Sequence, residues 1–563
     1  MKKIVLSAAL AVAAVAAGTL HTQAQTTCPA APTPVIVSGS ITTNTTWTSN
    51  NIYLLQGFVF VESGATLTIQ PGTIIKGDQA SKGTLTIKQG ARIEARGTAS
   101  QPIVFTSNQP AGSRARGDWG GLILLGRATQ NIPATPTQPL PKIEGGLTPD
   151  SYFGGTDDTD NSGTLQYVRI EFPGVAFSTD NEINGLTLGG VGSGTTIDHI
   201  QVSYSGDDSY EWFGGSVNAK YLIAYRGLDD EFDTDNGYHG KVQFAVSLRD
   251  PNAADASGSN AFESDNDAAG SNNLPQTAPV FSNVSAFIAP TTGTLNTNYK
   301  RAMHIRRNSA ESIFNSVFQG YPVGLLLDEG TAPFSATNSA VNAANGTLAL
   351  SNNVLAGFAA NKVATRVNGS TYNVKQFLGS SNDTTSTVAS LNLAANNFLL
   401  NGYADLMPQA TSPLAAGGAF TNAKLTGSFF TPVTYRGAFD PAAGSAGNWT
   451  TGWTNFNPQI TCYNLAGRTL AAKPAADVSL ELGVYPNPTA AAARLSFALP
   501  RAAATTLRVT DATGRVVATV LNNQKLSAGT QLIDLPATLN AGLYLVTVST
   551  DETSQSVRFV VAK

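Results

Sequence analysis

The chain has 563 residues, of which only 13% are charged, with a formal net charge of −4 and 54 glycines. That length holds several ordinary domains, or one long repetitive domain with an appendage. Past the first twenty residues no long segment repeats apolar side chains at i, i+3, i+4 and i+7, which excludes a helical bundle; abundant Gly, Thr, Asn and Ser point to strands and turns.

At the start, Lys2 and Lys3 precede an Ala/Val/Leu run from Ile4 to Leu20, and Thr22-Gln23-Ala24 offers a small-residue cleavage site. This predicts a secretory signal peptide over residues 1–24. Gln25-Thr26-Thr27 before Cys28 is not a lipobox, and no later stretch is apolar enough for a transmembrane segment. Cys28 and Cys462 therefore stand in an oxidising compartment, where they either pair and tie the start of the body to its end or remain two free thiols.

Residues 25–462 form the body. Gly64-Ala65-Thr66-Leu67-Thr68-Ile69 is echoed by Gly83-Thr84-Leu85-Thr86-Ile87, so that Leu67 to Leu85 and Gly72 to Gly90 are each 18 apart. A second echo, apolar-x-apolar-x-aromatic-x-Gly, comprises Val168–Gly174, Ile200–Gly206 and Tyr221–Gly227 with its aromatic at Phe172, Tyr204 and Tyr225. Asn283, Asn315, Asn353 and Asn397 each stand just before an apolar strand residue. Short strands at a period near 18 to 23 predict a right-handed parallel β-helix; propeller blades need about twice that length. A dozen or so coils at roughly 4.8 Å each make a rod on the order of 60 Å, whose open ends need caps. The Trp47 region and the Trp449/Trp453/Phe456 stretch are the candidate caps.

The segments Gly117-Asp118-Trp119-Gly120-Gly121, Asp198–Tyr204 and Asn218–Gly227 resemble an uncharacterised family of secreted Bacteroidetes β-helix proteins within the pectate-lyase-like superfamily. The likeness runs from about residue 36 to 460 and implies the fold. The superfamily includes lyases, hydrolases, adhesins and noncatalytic surface proteins, so it does not choose an activity.

Acid is concentrated in the middle. Residues 150–270 hold 21 of the 38 Asp and Glu but five Lys and Arg, a local net of −16. That excludes nucleic acid as a partner, because phosphate binding needs basic side chains. Asp207-Asp208 and Asp229-Asp230 follow equivalent strands, and stacked coils would bring these turns roughly 5 Å apart. The echo is 21 residues at the tyrosines and 22 at the acids, predicting one extra residue at the second corner. Asp158/Asp160, Asp233/Asp235 and Asp265/Asp267 space oxygen ligands two apart, as a structural Ca²⁺ loop does, although none continues to an EF-hand glutamate. The alternative is solvated turns.

Two functions follow. In the catalytic one, Asp207, Asp208, Asp229, Asp230, His239, His304 and Arg306 converge in a groove as a polysaccharide lyase or glycoside hydrolase. That inventory resembles polygalacturonases, with departures: Tyr238-His239-Gly240 replaces Gly-His-Gly, and Arg306-Arg307 replaces Arg-x-Lys. In the noncatalytic one, which leads, the rod is a glycan-binding, adhesive or structural surface protein, with Tyr210, Glu211 and Trp212 as a sugar-stacking platform for an extracellular polysaccharide. Packing of those aromatics between coils is the alternative.

Residues 463–481 are Ala-rich and read as a linker. Beyond it, Tyr485-Pro486-Asn487-Pro488, Asp511-Ala512-Thr513-Gly514-Arg515 and Ala541-Gly542-Leu543-Tyr544 punctuate about seven short alternating strands, a small antiparallel β-sandwich over residues 482–563. These motifs closely resemble the type A C-terminal sorting domain of the Bacteroidetes type IX secretion system. The resemblance implies the secretion machinery as partner and a secreted or cell-surface location.

Overall fold

In a computed structural model, residues 28–464 and 480–562 are described, apart from 146–150, 179–180, 329–337, 367–370, 394, 401–403, 405, 481, 490–492, 500–501, 512–514, 528 and 551–553. The expected signal peptide, most of the linker and Gly514 lie outside the described residues.

Short apolar strands separated by turns cannot each satisfy their own backbone, so each pairs in parallel with its counterpart one coil later. Three ladders result. The first runs from Thr45–Trp47 through Thr66–Ile69 and Arg92–Arg96 into the opening halves of Gly163–Glu171, Thr196–Ser203, Asn218–Tyr225, Lys241–Arg249 and Val280–Ile288. The second takes the closing halves of those long strands, preceded by Ile74–Gly77 and Ile103–Ser107. The third includes Leu122–Leu125, Leu186–Gly189, Tyr210–Phe213, Phe232–Asp235, Phe262–Ser264 and Arg301–Ile305. The chain is thus a parallel β-helix, right-handed as parallel crossovers are, with Leu67, Ile93, Leu165, Ile197, Leu222 and Phe281 among the residues filling its axis.

The long strands turn from the first ladder into the second at one left-handed residue: Tyr167 (φ 49°), His199 (54°), Tyr221 (59°), Phe244 (61°) and Asn283 (58°). That conformation costs a side chain about 1–2 kcal/mol, offset here by stacking between coils. Tyr167, His199 and Tyr221 stand 4.3 and 4.4 Å apart between ring centroids.

Two expected registers are corrected. The 18-residue echo is not the coil: Leu67 lies opposite Ile93 in the first ladder, whereas Leu85 lies opposite Leu122 in the third. The repeated Thr-Leu-Thr-Ile unit is one strand with its turn, and one coil needs three such strands. Likewise Ser203, not Tyr204, lies opposite Tyr225, and the matched left-handed residues are Tyr204 and Arg226. The offset is therefore 22 from Thr196↔Asn218 to Tyr210↔Phe232, with no extra residue at the corner.

The expected C-terminal cap is also corrected. Trp453 and Phe456 belong to a strap, made by the described residues of 389–464, that runs from the last coils back to the first along the outside of the second ladder. That face is apolar (Ile223, Val246, Leu248, Phe287, Val317, Val354), and Leu391, Leu406, Leu414, Phe439, Trp453 and Phe456 cover it. Corner amides grip the strap backbone in reciprocal pairs. Gln201 Nε2 donates to Asn455 O (2.9 Å) while Asn455 N donates to Gln201 Oε1 (2.8 Å). Gln243 and Thr431 repeat this, as do Asn315 and Ala419. Asn397, by contrast, lies in the strap and donates to Met407 O. The strap ends in a disulfide between Cys462 and Cys28, with Cα atoms 5.5 Å apart. Val374 and Leu378 of the short helix Val374–Gly379 join the core at the last coil, and Trp47 stacks on Tyr53 at the first.

Residues 480–562 form the separate antiparallel β-sandwich. A sheet of Gly483–Tyr485, Arg494–Leu499 and Gly529–Asp534 faces one of Val516–Leu526, Ala503–Asp511, Gly542–Ser549 and Ser554–Val561. Leu495, Phe497, Leu507, Val509, Val546, Val548 and Phe559 make its core. Asn487 clamps the last strand, donating to Arg558 O (2.8 Å) and accepting from Val560 N (2.9 Å). Pro486 and Pro488 are exposed on either side. Arg515 pairs with Asp511 (3.0 Å), and Tyr544 OH donates to Asn540 O beside Gly542 (2.9 Å).

Candidate functional site

Side chains alternate along a strand, so the third ladder sends Tyr210, Trp212, Phe232, Phe262, Met303 and Ile305 into the axis and their neighbours outward. Stacked in register on the outer face stand Thr187, Glu211, Asp233, Glu263 and His304, one per coil. The sugar-stacking expectation is thereby overturned for Tyr210 and Trp212. Both have zero exposure; Tyr210 OH donates to Ile200 O and Ile223 O, and Trp212 stacks on Tyr238 at 5.4 Å. Glu211 faces the opposite way from both.

The turns that feed this ladder carry the paired aspartates. Ser209 N donates to Asp230 O (2.9 Å) and Asp230 N to Asp208 Oδ1 (2.8 Å), locking one acidic turn on the next. Gly206 seats the first acidic turn on the turn before it, donating its N–H to Pro173 O (2.9 Å) where a Cβ would stand 2.5 Å from Gly174 O. Together the turns and the ladder line a cleft of about 480 Å³ with Glu144, Glu182, Asp207, Asp208, Glu211, Asp229, Asp230, Asp233, Asp255 and Glu263. Arg306 is the one basic side chain among the described residues that line it.

So many carboxylates in so little water cannot all ionise cheaply. Burial first, then the neighbouring Asp229 carboxylate, pushes Asp207 well above the usual carboxylate range. Burial and then Asp229 do the same to Asp230, and burial and then Glu211 to Asp233. Asp229 is raised to about 6, chiefly by burial, while Ser257 Oγ (2.7 Å) opposes the rise. Glu263 goes the other way: burial is outweighed by His304 Nδ1 at 3.0 Å and by Arg306, which hold it below the usual value.

Two groups of carboxylates each bring one oxygen apiece within 4.8 Å of one another: Asp207/Asp208/Asp229 and Asp208/Glu211/Asp233. Beside the second, Asn184 Nδ2 donates to Glu211 Oε2, while its buried Oδ1 has no donor although the residue lines the cleft. A neutral amide oxygen next to crowded carboxylates is the donor set of a hard cation. The expected calcium loops fare differently. Only Asp233 joins one of these groups. Asp158 accepts Thr129 N and Oγ1 (2.9 and 2.7 Å), with Asp160 in the same distant loop. Asp267 closes its own turn through Ala269 N and Ser271 N. Asp265 is taken by Arg306 and Arg307 at 2.7 and 2.8 Å, and neighbouring Asp235 is pushed up by burial and then by Asp265.

Of the seven residues expected to converge, the four aspartates and Arg306 line the one cleft, and the two histidines do not line it. His239 lies at the distant loop, Nδ1 donating to Gly237 O (2.8 Å) and Nε2 3.5 Å from Asp158. His304 is held between Glu263 and Asp328, 3.0 and 3.2 Å from its two ring nitrogens. Sequence reasoning missed Glu263 and Asn184, and treated Glu211 and Asp233 as unrelated. The signal was present as repeated aromatic-acid pairs, Tyr210-Glu211, Phe232-Asp233 and Phe262-Glu263, the first two 22 residues apart and the third 30 further on, past a longer turn.

Comparison with known proteins gives two family matches. A model described as a pectate-lyase-like beta helix domain matches residues 39–398, and one described as a secretion system C-terminal sorting domain matches residues 483–562. Among solved structures, the crystal structure of the Dettilon tailspike protein is similar at 10% identity and a TM-score of 0.19. That match covers 57% of this chain and about three fifths (61%) of the tailspike chain. No curated protein matches the chain.

Proposed function

Starting from the fact that the chain belongs to the family of pectate-lyase-like beta helix domains, we propose that it is a noncatalytic surface-binding protein. In this reading the acidic cleft takes calcium and, through it, an extracellular glycan. The sorting domain marks the chain for the type IX secretion machinery and so for a secreted or cell-surface location, and export begins with residues 1–24 as signal peptide. Among the described residues no helix is long and apolar enough to cross a membrane.

The observation that carries the cation reading is the pair of carboxylate groups sharing Asp208, with Asn184 Oδ1 beside them. Asp207, Asp208 and Asp229 would hold one ion and Asp208, Glu211 and Asp233 a second position. Calcium suits them because it accepts six to eight oxygen ligands in flexible geometry. When bound it would neutralise the wall and leave open positions for sugar hydroxyls or carboxylates. Two features favour binding over β-elimination. Arg306 is engaged by Glu263 and Asp265, and His304 is held between two carboxylates, which leaves no free Arg or His base at the cleft among the described residues. The test is calorimetric titration of the metal-free secreted protein with CaCl₂, followed by a glycan array with and without Ca²⁺. A wild type without a saturable calcium isotherm, or an Asp208→Asn variant that binds calcium as tightly as wild type, sinks the reading.

A glycoside hydrolase is the second reading. It is favoured by one observation: burial and then Asp229 push the Asp207 carboxyl well above the usual range, while neighbouring Asp229 is raised to about 6, the kind of unequal pair that a general acid and its partner form. Release of reducing ends from any array hit, abolished by Asp207→Asn, would establish it instead.

A further inference from the structure

Directly beneath the acidic turns lies an ion pair that the cleft itself does not contain. Arg249 and Glu231 are both fully buried, with Nε 3.2 Å from Oε1. Between them they reach every loop that carries the central carboxylates. Glu231 Oε2 accepts Ser209 Oγ at 2.6 Å, next to Asp207-Asp208. Arg249 Nη2 donates to Leu228 O at 2.9 Å, just before Asp229-Asp230, and Nη1 donates to Asn260 O at 2.8 Å. Asn260 in turn donates from its backbone and its Nδ2 (3.1 Å) to Asp230, and from Nδ2 to Glu263 (3.3 Å).

A buried ion pair is a poor source of stability, since two apolar side chains of similar volume often serve as well or better. What this one supplies is direction: hydrogen bonds to three consecutive loops from one point under the cleft. We propose that the Arg249–Glu231 pair is the positioning element of the cation site and sets its preference for calcium over magnesium. The inference rests on the cation reading above. Neither side chain touches the cleft; both act through Ser209, Leu228 and Asn260. Calcium binds oxygens at 2.3–2.6 Å whereas magnesium demands 2.0–2.1 Å in near-ideal octahedral geometry. Loops pinned from beneath cannot contract by the difference, so the smaller ion is refused.

The experiment titrates calcium and magnesium calorimetrically into the full chain and into two variants. Arg249→Met/Glu231→Leu removes both charges together, leaving neither stranded. Asn260→Ala keeps the ion pair and cuts the side-chain link to Asp230 and Glu263. Loss of an outer-shell partner weakens metal binding by about 10- to 100-fold. That loss is expected for calcium in the double variant, with magnesium affinity unchanged or raised, so the ratio of the two affinities collapses. Asn260→Ala is expected to shift the ratio the same way by a smaller factor, and it decides the matter if the double variant does not fold. A merely structural pair would lower the melting temperature and leave the ratio alone, which overturns the proposal. Failure of the wild type itself to bind calcium overturns the cation reading and this inference together, whereas wild-type binding with unchanged ratios in the variants overturns this inference only.

Discussion

Removing one charge from the cleft should strengthen the metal-free protein and weaken the metal-bound one. Asp229 is the site to use, because its folded pKa of about 6 stands above the ordinary 3.8. A tenfold change in proton affinity is worth about 1.4 kcal/mol, so the ionised carboxylate costs the native state about 3 kcal/mol at neutral pH. The sign follows from proton binding. Between 3.8 and about 6 the native state holds more protons at this residue than the unfolded chain, so stability falls as pH rises through that window and levels off above it. Asp207, Asp208, Asp230 and Asp233, all raised, push the same way. In Asp229→Asn the amide oxygen can still accept from Ser257 Oγ, so the main change is the charge. In EDTA at pH 7.5 the variant should exceed the wild type by up to about 3 kcal/mol. At pH 3.5 the difference should vanish. Urea unfolding at both pH values, followed by the fluorescence of buried Trp119, Trp212 and Trp453, measures it. At a thousandfold excess of Ca²⁺ over Kd the order should reverse, since the ion stabilises whichever protein binds it by RT ln(1 + [L]/Kd), about 4.1 kcal/mol there. A wild type whose metal-free stability is flat between pH 4 and 7, or a variant less stable than wild type in EDTA, would refute the reasoning.

Reduction of Cys28–Cys462, or Cys28→Ser, should cost about 2–4 kcal/mol and make the strap around Trp449 and Trp453 the first site of limited proteolysis; cleavage beginning elsewhere would count against the strap as the element that the bond secures. Trp212→Ala should destabilise by about 3–5 kcal/mol as a core cavity. A folded, equally stable Trp212→Ala that had lost glycan binding would return the residue to the surface. Gln243→Ala leaves Thr431 N and O without their partner and should cost about 1–3 kcal/mol, seen as faster hydrogen exchange at Thr431 with little change at Glu211.

The sequence was most legible where periodicity is local. Alternating apolar residues and Gly-marked turns state a solenoid of short strands, and Tyr485-Pro486-Asn487-Pro488 with its following strands states the sorting sandwich. The acidic middle was legible as composition, and Asp207-Asp208 and Asp229-Asp230 were legible as stacked turns. The errors arose where one residue of register decides everything. Matching Tyr204 to Tyr225 hid the fact that Glu211, Asp233 and Glu263 share one face. Reading Tyr210-Glu211-Trp212 as one patch ignored that a strand sends its middle residue the opposite way from its neighbours.

By itself, then, the sequence determined the kind of coil, the charge of its middle and the destination of the chain, because these follow from nearest-neighbour propensities and contiguous motifs. Only the tertiary structure decided which carboxylates meet, that His239 stands in another loop while His304 is held between Glu263 and Asp328, and that the segment around Trp453 runs back along the rod to bring Cys462 against Cys28. Those contacts join residues tens to hundreds of positions apart. Their partners are selected by inter-coil hydrogen bonding and by the apolar second face's need for cover, and neither leaves a local trace in the chain.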